Sequence, residues 1–152
     1  MYRRTAAGAA VLALACLAGT QAQDKGSKEH VHGAYAKCAK ACADCMLECD
    51  SCFKHCSNLV TNGQKDHTAT MYLCNDCGEI CASAAKIAGR SGPLAVTTCE
   101  ACAKACDRCG DACGKFPDDA HMKKCAQACR DCAKACREMI GHVGSGSGKK
   151  TS

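Results

Sequence analysis

The cysteines of this chain are spaced in a way that allows little besides helices. Apart from Cys16, every cysteine belongs to one of four groups in which each step to the next cysteine is three or four residues. This period of about 3.5 residues puts each group on one face of an α-helix and matches the seam of helices that cross at about +20°. The residues in between are mostly good helix formers, with charges that fall off the seam. The cysteines are Cys38, Cys42, Cys45, Cys49, Cys52 and Cys56; Cys74, Cys77 and Cys81; Cys99, Cys102, Cys106, Cys109 and Cys113; and Cys125, Cys129, Cys132 and Cys136.

Breaker residues separate the four groups and indicate the fold class. They lie at residues 61–63, 89–93 and 114–119, and they are rich in Gly, Asn, Pro and Asp. Short links between long helices favour antiparallel neighbours. We therefore predict an all-α fold, an antiparallel up-down four-helix bundle with a Cys-lined core, over residues 34–142.

Each link also carries residues that suit a helix end. Gly63 and Gly89 are expected to act as C-terminal caps, and Pro93 suits the first turn of a helix. Asp118 or Asp119 is expected to cap the last helix.

The segments resemble one another in sequence. Cys38-Ala-Lys-Ala-Cys42-Ala-Asp-Cys45 recurs closely from Cys102 and more loosely from Cys125. This repeat suggests the duplication of a helical hairpin. The second segment has only three cysteines, and we expect its Leu and Ile residues to supply more ordinary packing.

The composition rules out several kinds of protein. The 152 residues include 19 Cys but no Trp, two Phe and three Tyr, so cysteine must fill much of a core that aromatic residues cannot. The length fits one domain. A net charge of +5 with so few aromatic residues does not indicate a nucleic-acid partner. No nucleophile–base pair or phosphate-binding loop is evident, so we expect no enzyme activity.

The N-terminus has the pattern of an export signal. Arg3 and Arg4 precede an apolar run that ends near Ala18, and a small-x-small site suggests cleavage after Ala22. Residues 1–22 are therefore predicted to be a signal peptide, and the protein to be exported, with a periplasmic location. The arginine pair also leaves twin-arginine export open, and Cys16 leaves lipidation of that cysteine open. An apolar run of roughly ten residues is too short for a membrane span.

The remaining ends are polar. Residues 23–33 are predicted to be a flexible segment, and the Gly/Ser/Lys-rich residues 143–152 a disordered tail.

So many cysteines need a chemical reason, and three alternatives stay open. Disulfides are usual in exported proteins, but pairs within one helix would close short loops and stabilise little. Structural zinc favours closed Cys₄ or Cys₂His₂ sites, commonly on turns. Iron–sulfur ferredoxins carry a Cys-Pro at the end of their motif, and none occurs here.

Cu(I) fits the pattern better than these alternatives. It is soft and monovalent, it prefers sulfur ligands, and two or three thiolates satisfy it. A core full of thiolates would be strongly anionic, whereas about one Cu⁺ per thiolate makes it nearly neutral. We therefore expect multiple Cu(I) ions per chain, approaching one per cysteine, held by the 18 cysteines other than Cys16.

The Cys-x₃-Cys and Cys-x₂-Cys spacings along four helices resemble those of the bacterial copper storage proteins. The resemblance covers residues from about 34 to 142. It implies storage or sequestration of copper for detoxification and for supply to copper enzymes. It also implies a homo-oligomer, often a tetramer, that exchanges metal with a copper chaperone or a copper enzyme.

Softer ligands gather at the two ends of the predicted bundle. His67, Met71, His121 and Met122 fall at one end, where they suit a metal entrance. Tyr35, Met139 and His142 fall at the other end, with His30 and His32, and this end is the alternative entrance.

Overall fold

The computed structural model describes residues 20–147 and the side chains of residues 30–144. Over this range the chain forms four helices, α1 (Thr20–Thr61), α2 (Thr68–Gly89), α3 (Ala95–Cys113) and α4 (Ala120–Ser147). A turn of 3-10 helix at Lys65–His67 joins α1 to α2. Each helix packs against the next, and α4 packs against α1. The predicted antiparallel up-down four-helix bundle is confirmed.

The links between helices end them by local hydrogen bonding. Gly63 has a positive φ of 91°, and the N–H groups of Gly63 and Gln64 donate to the carbonyls of Val60 and Leu59. This pattern is a Schellman motif, with glycine in the left-handed position that it favours. After α2, however, Ser91 rather than Gly89 takes that position, with φ 50°.

Asp119 caps the last helix, as one of the two predicted alternatives. Its Oδ1 accepts hydrogen bonds from the backbone N–H groups of His121 (2.8 Å) and Met122 (3.1 Å). These two donors would otherwise lack partners in the first turn of α4.

The core of the bundle is made of small side chains. Besides the cysteines it holds alanines, such as Ala84 and Ala88, and two fully buried methionines, Met122 and Met139. Ala84 and Ala88 continue the seam of α2 beyond its last cysteine, while Ile80 and Ile87 are half-buried beside it. Small side chains on every inner face let the four helices enclose a narrow column of sulfur.

The helices reach further at both ends than the sequence suggested. Helix α1 is 42 residues long and includes residues 23–33, where we expected a flexible segment. Its N-terminal part is rich in Gln, Asp, Lys and Glu, which a helix tolerates well. Helix α4 continues through residues 143–147 of the predicted tail. Residues 1–19 of the predicted signal peptide and residues 148–152 lie outside the described part of the chain.

Within the described residues, no helix is both long enough and apolar enough to cross a membrane.

Candidate metal centre

All the cysteines of the four groups point into the bundle. Each is at most 1% exposed, although some lie near the helix ends. Every one is a free thiol. The shortest contact between two cysteine Sγ atoms, 3.5 Å between Cys38 and Cys99, is well beyond the roughly 2.05 Å of a disulfide bond.

The sulfur atoms form a continuous network along the bundle axis. Neighbours on one helix lie a turn apart, as between Cys38 and Cys42 (4.0 Å). Other contacts cross from helix to helix, as from Cys45 to Cys106 on α3 (3.8 Å) and to Cys129 on α4 (3.8 Å). Both arrangements that could clamp a two-coordinate ion, along one helix and between helices, are therefore present.

These contacts collect into four-sulfur groups whose Sγ atoms all lie within 4.8 Å of one another. Several cysteines belong to two groups, and one group takes a cysteine from each of the four helices. Five of the groups are Cys42, Cys102, Cys132 and Cys136; Cys45, Cys49, Cys77 and Cys129; Cys45, Cys77, Cys81 and Cys106; Cys49, Cys109, Cys125 and Cys129; and Cys52, Cys74, Cys113 and Cys125.

The sharing of sulfur atoms bears on which metal fits. One isolated four-thiol group would suit a closed zinc site. Groups with a common cysteine cannot each bind Zn²⁺ as a separate Cys₄ site, because the shared thiolate must bridge two ions. Bridging thiolates and low coordination numbers are what Cu(I) accepts, so a chain of shared groups favours many Cu(I) ions.

Hydrogen bonds among the thiols shift their pKa values, some down and some up. Bonds with Cys113 and other neighbours lower the pKa of Cys109 to about 6 despite its burial. Bonds with Cys52 and Cys74 lower the pKa of Cys56 to about 3, with a smaller contribution from the charges of His67 and His55. In contrast, bonds with Cys109 and Cys125 raise the pKa of Cys49. Metal binding must release the protons that these thiols hold.

Met122 and His121 lie at one end of the sulfur column. The Met122 Sδ is 3.4 Å from the Sγ of Cys52 and 3.7 Å from that of Cys56. His121 is half-buried beside it, with Nε2 3.2 Å from the Ser51 hydroxyl. Of these two residues predicted from the sequence, Met122 contacts cysteines of α1, whereas the contact of His121 on α1 is with Ser51.

His67 and Met71 lie on the α1–α2 side of this end. The His67 ring is 5% exposed and stacks on Phe116 with ring centroids 4.0 Å apart. Its Nδ1 is buried and has no hydrogen-bond partner. Met71 follows one helical turn later and packs, half-buried, against the thiol core. An imidazole nitrogen without a partner is available as a ligand.

Sequence reasoning missed how His55 is held. Its Nε2 lies 2.7 Å from Asp119 Oδ2, and its ring stacks on His121 with centroids 4.6 Å apart. The carboxylate of Asp119 therefore both caps α4 and binds the imidazole of His55. The position of Asp119 suggested only the cap, since its distance from His55 depends on how α1 and α4 are aligned.

Comparisons with known proteins agree with this geometry. A profile of the copper storage protein family matches residues 31–141. The Cu(I)-bound copper storage protein BsCsp3 is 38% identical, with a TM-score of 0.64, and the match covers 70% of this chain and 98% of that one. Apo copper storage protein 3 from Bacillus subtilis is 37% identical, with a TM-score of 0.59 and coverages of 68% and 96%. A cytosolic copper storage protein from Streptomyces lividans with five coppers is 29% identical, with a TM-score of 0.69 and coverages of 74% and 97%. Among curated protein sequences there is no match.

One prediction is contradicted by these relatives. The periplasmic location was predicted from Arg3, Arg4 and the apolar run, but the Streptomyces lividans protein is cytosolic. The residues that suggested export lie outside the described range, except for the supposed cleavage site at residues 20–22, which is helical. A short alanine-rich run next to arginines is therefore a poor guide to compartment here.

The fold, the thiol network and the profile match agree on one conclusion, that this chain belongs to the copper storage protein family.

Proposed function

We propose that this protein stores many Cu(I) ions on the thiolates of its 18 core cysteines, and that it does so without catalysing a reaction. The observation that carries the proposal is the sharing of Sγ atoms between neighbouring four-sulfur groups. An ion in one group shares a cysteine ligand with an ion in the neighbouring group, so the column offers a continuous set of sites. Sites of this kind suit a store better than a catalytic centre, which keeps an open coordination position for substrate.

Charge balance supports a high copper content. Thiolates buried at 0–1% exposure are costly unless cations neutralise them. One Cu⁺ per thiolate removes that cost, whereas separate Zn²⁺ ions in Cys₄ sites would each leave about two negative charges. We therefore expect a ratio that approaches one copper per core cysteine.

A reducing compartment is part of the proposal. All the core cysteines are free thiols, and closely spaced thiols persist where disulfide formation is suppressed. Together with the cytosolic relative from Streptomyces lividans, this supports a cytosolic store.

We propose the end of the bundle with His67, Met71, His121 and Met122 as the copper entrance. Its support is the contact of Met122 with Cys52 and Cys56 and the partnerless Nδ1 of His67. A thioether and an imidazole bind Cu(I) more weakly than thiolate, so copper captured here would pass on to the cysteines.

Two kinds of partner complete the proposal. Copper would be exchanged with a copper chaperone or a copper enzyme. Self-association into a homo-oligomer is also proposed, and it would bury the side chains of Leu47 and Tyr72, which are each 61% exposed. Light scattering on the intact chain tests this, and a monomer at all concentrations would argue against it.

An anaerobic titration tests the storage function. Fully reduced protein is titrated with Cu(I) against a tight chelator while thiols are counted and the absorption spectrum is recorded. Storage predicts many colourless equivalents, and Cys45→Ala, which removes a sulfur shared by two groups, should bind fewer. Few equivalents would refute storage. Visible charge-transfer bands in protein as purified would favour an iron–sulfur cluster, and preferential retention of a few Zn²⁺ ions would favour zinc.

A further inference from the structure

A cavity lies between α1 and α4 at the far end of the bundle from the proposed entrance. Its volume is about 450 Å³, and it is lined by His30, Gly33, Lys37, Glu138, Met139 and His142, with two alanines. A Cβ atom added to Gly33 would meet nothing within 4 Å, so the wall formed by α1 is open at this point. None of the thiol groups described above includes these residues.

The packing of the two helices brings both imidazoles to this cavity. Here α1 and α4 extend past the end of α2, whose Gly89 lies beside Ala39. They run antiparallel, as the Cys45–Cys129 and His55–Asp119 contacts require. Those contacts put residue 30 roughly level with residue 144, within about 3 Å along the axis of His142 at 1.5 Å per residue. His30 and His142 therefore face one space from opposite helices.

The charges around the cavity favour a soft, weakly charged ion. Among the residues whose side chains are described, Glu138 is the only carboxylate in the lining, and Lys37 binds it at 2.7 Å, with Lys134 at 3.9 Å. A hard divalent cation would need carboxylate ligands that are not already neutralised. What remains is two imidazoles and the thioether of Met139, which suit Cu(I).

Met139 connects this cavity to the sulfur column. It lines the cavity but is fully buried, and it lies one turn after Cys136 on α4. The Sγ of Cys136 is in turn 3.7 Å from that of Cys38. The thioether thus stands between the imidazoles and the last thiols of the column.

We propose that this cavity binds one Cu(I) ion through the imidazoles of His30 and His142, with the thioether of Met139 as the third ligand. The inference rests on the proposed storage function, since it makes this site an extension of the thiolate column. Because imidazole and thioether are weaker ligands for Cu(I) than thiolate, the site fills after the cysteines.

The test follows the histidine side chains while the intact protein is loaded. Protein labelled with ¹⁵N-histidine is titrated anaerobically with Cu(I), and its imidazole resonances are recorded by NMR. We expect those of His30 and His142 to shift together over about one equivalent, after the thiols have been consumed. His32 is the internal control, because it is exposed on the same helix and does not line the cavity.

Variants give a second measurement. His30→Ala/His142→Ala should lose the last equivalent, while His32→Ala should keep it. The site is ruled out if the three histidines respond alike, or if the double variant binds as much copper as the parent protein. Failure of the storage function would look different, because the parent protein would then bind few equivalents in total.

Discussion

The thioether of Met122 lies beside the thiols at one end of the column, with its Sδ 3.4 Å from the Sγ of Cys52. Met122 is fully buried, although it lies in the first turn of α4. An ion that reaches this end would meet the thioether together with the sulfur atoms of Cys52 and Cys56. This relationship makes the part of the thioether in copper entry testable.

We expect the combined variant Met71→Leu/His121→Ala/Met122→Leu to load copper more slowly but to the same capacity. The changes remove three of the four proposed entrance ligands and leave His67 and every cysteine in place. Stopped-flow measurement of Cu(I) transfer from a chelator gives the rate, and an endpoint titration gives the capacity. Met46→Leu, at a half-buried methionine beside the core, is the matched control and should load normally. An unchanged rate in the combined variant would contradict the proposed entrance.

Asp119→Ala should destabilise the apo protein by about 0.5–2 kcal/mol, because the cap of α4 is lost. It also removes the partner of His55. Urea unfolding measures the difference, and Asp118→Ala, at the exposed neighbouring carboxylate, should have little effect. Asp119→Asn should recover most of the lost stability, because Asn caps a helix as well as Asp. A similar loss from both alanine variants would contradict this role for Asp119.

The stabilisation by Asp119 should also depend on pH. Partial burial raises the pKa of Asp119, but hydrogen bonds from His55 and from the N–H groups of Met122 and His121 outweigh it and hold the pKa below the ordinary 3.8. The unfolded chain therefore takes up a proton first as the pH falls. The difference in unfolding free energy between the parent protein and Asp119→Ala should have its largest value above about pH 5. It should decrease as the pH falls below 3.8.

The cysteine spacing was sufficient to predict four helices and their inner faces, because a helical face depends only on residues a few positions apart. It could not predict the register between helices. The sequence repeat aligns Cys38 with Cys102, yet Cys38 contacts Cys99, and it is Cys42 that lies 3.9 Å from Cys102. Helix register is set by packing along the whole length of the bundle. For the same reason, the four-sulfur groups and the Asp119–His55 pair emerged only from the structure.

Ser91→Gly should stabilise the apo protein by up to about 1 kcal/mol. Ser91 occupies the left-handed position after α2 at φ 50°, which glycine adopts without steric cost, and its buried hydroxyl has no hydrogen-bond partner. Urea unfolding again gives the measurement. Ser83→Gly, at an exposed position inside α2, should instead be neutral or destabilising, because glycine weakens a helix interior. A loss of stability in Ser91→Gly would show that the strain at this position is not relieved.

Copper loading should raise the unfolding temperature in steps as equivalents are added. One four-sulfur group, Cys52, Cys74, Cys113 and Cys125, takes a ligand from each helix, so an ion bound there links all four. A ligand that binds only the folded state stabilises it by mass action. Anaerobic thermal unfolding at increasing copper ratios measures the effect, and removal of copper by a chelator should reverse it. An unfolding temperature that does not change with copper would mean that the metal does not link the helices.

Two buried glycines should respond in opposite ways to replacement by alanine. At Gly78 an added Cβ would lie 2.8 Å from Asp50 Oδ1, the end of an exposed side chain that can swing away. Gly78→Ala should therefore gain up to about 1 kcal/mol from better helix propensity. At Gly110 the added Cβ would lie 3.3 Å from the Cβ of Cys129 and 3.5 Å from the backbone oxygen of Ala126, so α3 and α4 must move apart.

Gly110→Ala should consequently gain no stability and should weaken copper binding near Cys129. A shift of Cys129 would disturb its 3.8 Å contacts with both Cys45 and Cys49. Urea unfolding of the apo proteins and chelator competition with Cu(I) separate the two effects. If Gly110→Ala were as stable as Gly78→Ala and bound copper as tightly as the parent protein, the close approach of α3 and α4 at Gly110 would have no part in setting the sulfur spacing.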